Sequence, residues 1–156
     1  MVIQRWQSVL LFCAAALMAC FTFFSLGQVQ TPDYSFNFTS LGFTYEGIAT
    51  DGSPTGYLLH TWYFFCVSLM SVILPLVAIF CFRNERLQTR LCLVSVLFII
   101  ACMAVAGCLG YTAVDNGSIG WSTNIVSPFA ALAAVILAYG RIRSDWRKLR
   151  SADRIR

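Results

Sequence analysis

Seven cysteines and one histidine are the residues of this 156-residue chain best suited to redox or metal chemistry. The cysteines are Cys13, Cys20, Cys66, Cys81, Cys92, Cys102 and Cys108. A thiol pair that passes electrons needs two cysteines close together, one of them a reactive, accessible thiolate. No pair here has CxxC spacing, and all seven lie within or at the end of apolar stretches. The loops between those stretches that would face outward hold none, which disfavours a disulfide-forming membrane oxidase. Cysteine is therefore expected as a small, polarisable packing residue. His60 stands beside Trp62 and Tyr63. One histidine does not supply paired axial ligation to haem within a chain, and a place in an aromatic belt at a helix end is expected instead. No catalytic residue, metal or cofactor is assigned.

Acid and base residues are informative through their positions. The apolar stretches contain no Asp, Glu, Lys or Arg in their interiors. Such groups usually mark proton relays, ion paths and substrate counter-charges. Their lack argues against a proton-coupled carrier, a pump or an intramembrane protease, and leaves hydrophobic or lipid substrates open. Two sequons, Asn37-Phe38-Thr39 and Asn116-Gly117-Ser118, are weak three-residue patterns.

The elements that hold these residues follow from hydropathy and charge. Hydrophobic residues make up 58% of the chain and charged residues 12%, where a soluble domain has about 25% charged. Four apolar stretches, residues 6–26, 58–82, 91–111 and 121–140, each approach or exceed the roughly 20 residues that cross a bilayer. Both outer loops, 27–57 and 112–120, lack Lys and Arg and carry Asp33, Glu46, Asp51 and Asp115, a net −4. The other side, including the loop 83–90 and the tail 141–156, holds all eleven positive residues against Glu85, Asp145 and Asp153, a net +8. Positive flanks stay in the cytoplasm, so both termini are expected there. The pI near 8.8 then reflects topology and anionic lipid rather than nucleic acid.

The expected fold is an all-α membrane protein: a single four-transmembrane-helix bundle over residues 1–156. Arg5 followed by an apolar run, with Leu17-Met18-Ala19-Cys20, loosely resembles a lipoprotein signal. The hydrophobicity continues through Phe21, Phe23, Phe24 and Leu26, where a processed lipoprotein turns polar, so a first span is expected. In the first outer loop, residues 34–39 and 43–46 alternate apolar and polar around a Leu41-Gly42 break, which predicts a small β-hairpin. Residues 112–120 read as a short polar turn. Pro75 falls inside the second span, and Pro128 falls near a helix start. The tail places Ile142, Trp146, Leu149 and Ile155 near one face among seven positive residues, a basic amphipathic helix for the inner membrane surface.

Small residues recur at helical spacing: Cys102, Ala106 and Gly110 on the third span, Ala130, Ala134 and Ala138 on the fourth, Ala15 and Ala19 on the first. Helices in lipid associate where such residues let backbones approach. Internal packing and docking of another membrane protein both fit this pattern.

Three stretches, residues 3–8, residues 83–92 and the terminal Leu149-Arg150-Ser151-Ala152-Asp153-Arg154-Ile155-Arg156, carry a resemblance. The chain resembles the small four-span membrane proteins of Bacteroidetes grouped as domain of unknown function 4293. That resemblance implies a bacterial inner membrane and no particular chemistry. All three stretches fall on the cytoplasmic side, where Gln4, Arg5, Arg86, Gln88, Arg90, Asp153 and Arg154 are expected to converge as a docking or lipid-headgroup cluster. The expected function is a non-enzymatic accessory or scaffold subunit of a membrane assembly. The alternative is a lipid-binding carrier or sensor that uses the arginine cluster. Expected partners are anionic lipid headgroups and another membrane protein, with no nucleic acid. An enzyme at the cytoplasmic interface is a third class, for which the chain offers no nucleophile with an acid–base partner.

Overall fold

A computed structural model describes residues 2–30, 35–45, 57–81, 84–114 and 118–153. Four long helices dominate: α1 (Val2–Phe23), α2 (Trp62–Phe80), α3 (Glu85–Val114) and α4 (Ser127–Asp153). All four are long and apolar enough to cross a membrane. They run alternately up and down, and each packs against its neighbours in a ring: α1 on α2 and α4, α3 on α2 and α4. Short strands join them at one end: β1 (Gly27–Gln30), β2 (Ser35–Thr39), β3 (Gly42–Tyr45), β4 (Tyr57–His60) and β5 (Ser118–Trp121). A 3-10 turn, Thr123–Val126, leads from β5 into α4.

The buried face of α2 is Phe64, Ser68, Ser71, Pro75 and Ala78. That of α3 includes Gln88, Cys92, Ser95, Ile99, Cys102 and Ala106. Small inward residues allow close helix approach. Leu11, Met18 and Phe21 of α1, Phe64 of α2 and Ile99 of α3 fill the core, while other large apolar side chains point outward, with Phe12 62% exposed, Phe80 80%, Leu97 60% and Leu137 60%. Pro75 is accommodated inside α2, and Pro128 is the second residue of α4, where its missing N–H removes no helical bond.

The expected two-stranded hairpin is part of a larger sheet. β2 and β3 pair as expected, with Phe38 opposite Phe43. They lie within a five-stranded antiparallel sheet of order β4-β3-β2-β1-β5. Two strands alone are marginal in water, and the residues flanking the helices complete the sheet. The β2–β3 turn places Gly42 at φ 142°, a left-handed conformation that favours glycine. The Thr39 hydroxyl donates to the Gly42 carbonyl at 2.9 Å.

Four expected boundaries differ. The second outer loop, read as a turn, contains the end of α3 and the first three residues of β5, whose last residue, Trp121, falls in the expected fourth span. Residues 57–60, assigned partly to the second span, form β4, and α2 starts at Trp62. The hydropathy of Leu58 and Leu59 does not distinguish strand from helix. Residues 85–90 of the expected cytoplasmic loop are the first turns of α3, since Glu, Arg, Leu and Gln are all good helix formers. The tail through Asp153 continues α4 without a break, because an exposed Gly140 costs a helix only about 1 kcal/mol.

Candidate functional site

The sheet end of the bundle is tied together by buried hydroxyls. Thr22, near the end of α1, is the hub. Its hydroxyl donates to the Met18 carbonyl at 2.7 Å and accepts from Ser68 of α2 at 2.8 Å. Its carbonyl accepts from the Ser40 hydroxyl at 2.5 Å. The Thr61 hydroxyl donates to the Ser40 carbonyl at 3.2 Å, and Ser71 donates to the Ser68 carbonyl at 2.6 Å. The Cys102 thiol of α3 reaches the Ser71 hydroxyl at 3.9 Å. The chain therefore joins α1, α2, α3 and the β2–β3 turn. Among the described residues no buried side-chain nitrogen or oxygen lacks a partner, so the network holds position rather than offering open valences.

Aromatic rings complete the seam. Phe38 stacks on Phe43 with centroids 4.7 Å apart, and Phe64 meets Phe21 edge-on at 6.1 Å. The sheet is hydrogen-bonded to the helix ends as well. The Leu26 N–H donates to the Phe38 carbonyl at 2.8 Å, and the Ser122 N–H donates to the Leu26 carbonyl at 3.0 Å. Trp121 lies across Gly110, where an added Cβ would come within 2.3 Å of the indole Cη2. Below it, Phe21, Met103, Ala106, Gly107, Pro128 and Phe129 help line a cavity of about 210 Å³.

A wider groove of about 680 Å³ opens between α1 and α4 at the same end. Leu17, Cys20 and Phe24 of α1 face Val126, Ser127 and Ala130 across it, with Ser25, Ser122, Thr123 and Asn124 at the sheet side. The Asn124 side-chain amide donates to the Cys20 carbonyl at 3.0 Å, which pins the 3-10 turn to α1. The floor and walls carry no charged residue. Below the groove the exposed surface of α1 continues with Ala16 and Cys13.

The expected packing stripe on α3 lies inside the bundle: Cys102 and Ala106 are buried, and Gly110 is covered by Trp121. On α4, Ala138 is buried, Ala134 is half-buried and Ala130 is exposed in the groove. Among the described residues the buried row of α4 is Pro128, Ala131, Val135, Ala138 and Ile142. It shares only Ala138 with the small-residue stripe, and Val135 and Ile142 supply the bulk that fills the ring of helices. Ala15 is buried and Ala19 half-buried.

Of the expected arginine-end cluster, Arg86 and Arg90 are exposed one turn apart on α3, and Gln88 between them is buried. Gln4 and Arg5 lie in the first turns of α1, and Asp153 is the last residue of α4. The side chains of these three, and Arg154 altogether, fall outside the described residues. Arg141 and Arg143 of α4 are exposed at the same end. Cys13, Cys20, Cys66 and Cys108 are exposed, Cys81 is half-buried, and Cys92 and Cys102 are buried. His60 is exposed at the end of β4. Among the described residues no three His, Cys, Asp or Glu side chains gather where they would hold a metal. Asn37 is half-buried within β2, and Asn116 lies outside the described residues.

Sequence reasoning did not single out the hydroxyl network, the Trp121–Gly110 contact or the α1–α4 groove. A signal existed for the first: Thr22, Ser68 and Ser71 interrupt otherwise apolar spans.

A comparison with curated proteins gives no match. Comparison with known families matches residues 3–155 to one described as Domain of unknown function (DUF4293). That match takes in all four helices, the sheet between them and both groups of exposed arginines, and the chain belongs to this family.

Proposed function

We propose that this is an integral protein of a bacterial inner membrane, with both termini in the cytoplasm, and that it acts as a non-enzymatic accessory or scaffold subunit of a larger membrane assembly. The outward-facing Phe12, Phe80, Leu97 and Leu137 support lipid as the solvent of the helices, since so much exposed apolar surface is unfavourable in water. The arginines at one end and the arginine-free sheet at the other support the orientation. The carrying observation is the uncharged α1–α4 groove, with the small side chain of Ala130 on its wall and the fixed amide of Asn124 at its head. Such a surface suits a partner's transmembrane helix, because small residues permit close approach and polar groups orient it.

The test is a gentle-detergent pull-down from native membranes, comparing the wild-type chain with Ala130→Leu and with Ala101→Leu, a change on an exposed part of α3. A stoichiometric membrane partner that is lost only with Ala130→Leu is the expected result. A partner retained by Ala130→Leu, or no partner at all, refutes the subunit reading. Ala134→Leu is less discriminating, since Ala134 also packs on the core.

A second reading, a lipid-binding carrier or sensor, is supported by the exposed Arg86 and Arg90. Guanidinium groups at the end of an apolar helix are well placed for anionic headgroups.

A further inference from the structure

We infer that the exposed seam between α3 and α4 binds one anionic phospholipid, whose phosphate is held between Arg86 and Arg143. The inference rests on the lipid-binding reading and names its site and ligand.

The geometry starts at the small cavity, where Gly107 of α3 and Phe129 of α4 line the same space. That shared level fixes the relative height of two adjacent helices. Steps of seven residues are close to two turns and stay on one side of a helix, drifting about 20° each. From Gly107 such steps reach Ile100, Leu93 and Arg86, and from Phe129 they reach Ile136 and Arg143. Every one of these residues is exposed. The drift accumulates to about 60° at Arg86 and about 40° at Arg143, so two rows run along the exposed side of the bundle from the sheet end towards the arginine end, apolar along their length and cationic at their tips.

The heights suit a lipid. At 1.5 Å per residue, Arg143 lies roughly 21 Å and Arg86 roughly 32 Å from the shared level. A bilayer core is about 30 Å thick, so both arginines fall near the headgroups of one leaflet. Arg90, exposed one turn from Arg86, lies between them in height. Arginine stems extend along a helix surface and carry the head towards the interface. The planar guanidinium matches phosphate oxygens in a fork. Leu93, Ile100 and Ile136, each about half exposed, offer an uncharged wall to the acyl chains. Arg141 is turned by about 200° from Arg143 on α4 and lies away from this seam.

The test uses the full chain in nanodiscs of zwitterionic phosphatidylcholine with a minor share of phosphatidylglycerol, followed by native mass spectrometry. The wild-type chain is expected to retain one phosphatidylglycerol. The double variant Arg86→Gln/Arg143→Gln is expected to hold it roughly thirtyfold more weakly, from the usual strength of an arginine near anionic lipid. Arg141→Gln is expected to hold it unchanged. If the double variant loses its helical circular dichroism, the single variants are compared, each with an expected loss of roughly fivefold. Undiminished retention in these variants overturns the inference. So does an equal loss with Arg141→Gln, which marks diffuse charge, or displacement by millimolar inorganic phosphate, which marks a site for a soluble anion. Carbonate extraction separates the two levels of the argument. A chain released by carbonate overturns the membrane reading, an inserted chain indifferent to phosphatidylglycerol overturns the lipid-binding reading together with the seam, and an equal loss with Arg141→Gln overturns the seam alone.

Discussion

Replacing Thr22 by Val removes one hydroxyl, and nearly nothing else, from the hub of the sheet-end network. The two side chains have similar volume and both are β-branched, so packing and helix propensity change little. Three links are affected differently. The Met18 carbonyl loses an extra donor while keeping its place in the helix, a minor loss. The Ser40 bond goes to the Thr22 backbone carbonyl and survives. The Ser68 hydroxyl, fully buried, loses its acceptor. A buried polar group left without a partner costs about 1–3 kcal/mol. Ser68 has one escape, rotation towards the Phe64 carbonyl one turn back. Hydrogen bonds between helices in lipid average about 0.6 kcal/mol and reach about 1.7. The expected destabilisation is therefore about 1–1.5 kcal/mol. Ser68→Ala removes the donor and leaves the Thr22 hydroxyl still bonded to Met18, so it is expected to cost less. The double-mutant cycle should return a coupling of about 0.5–1.5 kcal/mol. Ser95→Ala is the control: its hydroxyl is equally buried but bonds within α3, to the Leu91 carbonyl at 2.8 Å, and about zero change is expected. The assay is reversible unfolding by sodium dodecyl sulfate in mixed micelles, followed by tryptophan fluorescence. Additive single variants, or a Ser95→Ala cost equal to that of Thr22→Val, would refute the view that this network ties α1 to α2.

Two further outcomes follow from the geometry. Gly110→Ala drives a methyl into the Trp121 ring and should cost about 1–3 kcal/mol, with a changed Trp121 emission. Gly107→Ala meets nothing within 4 Å and should be neutral or stabilising by up to about 1 kcal/mol; equal effects at both positions would contradict the Trp121 placement. For the proposed orientation, cysteines introduced at exposed Gln30 and Ser144, in a chain whose seven native cysteines are replaced by alanine, should differ towards a membrane-impermeant maleimide. Gln30→Cys is expected to react on spheroplasts, and Ser144→Cys only after lysis; the reverse pattern would invert the topology.

Four helices, their up-and-down alternation and one hairpin were legible in the sequence. Apolar runs near the length of a bilayer dictate helices, because a backbone in an apolar setting satisfies its N–H and C=O groups within itself. The Tyr34–Thr39 and Phe43–Glu46 alternation contained β2 and β3 because a hairpin is local: the two strands meet across Ser40 and Leu41. The exposed arginines on α3 and α4 were also visible, as charge at the ends of apolar runs.

The remainder is non-local. β1 pairs with β5, setting Gly27 opposite Trp121, and the four residues Gly-Gln-Val-Gln and Ser-Ile-Gly-Trp carry too little alternation to announce a strand. Thr22, Ser40 and Ser68 look like unrelated polar interruptions until two helices and a turn bring them within hydrogen-bond distance. Ala130 and Ala131 are equivalent in composition, yet one lines a groove and the other is buried, since rotation of α4 about its axis is set by what α1 and α3 present to it. The sequence by itself determined which segments are long and apolar enough to cross a membrane and at which end positive charge gathers, because those depend on each segment's own hydrophobicity and charge. Only the tertiary structure decided the five-stranded sheet, the hydroxyl network and the groove, because each exists only where residues from separate elements meet.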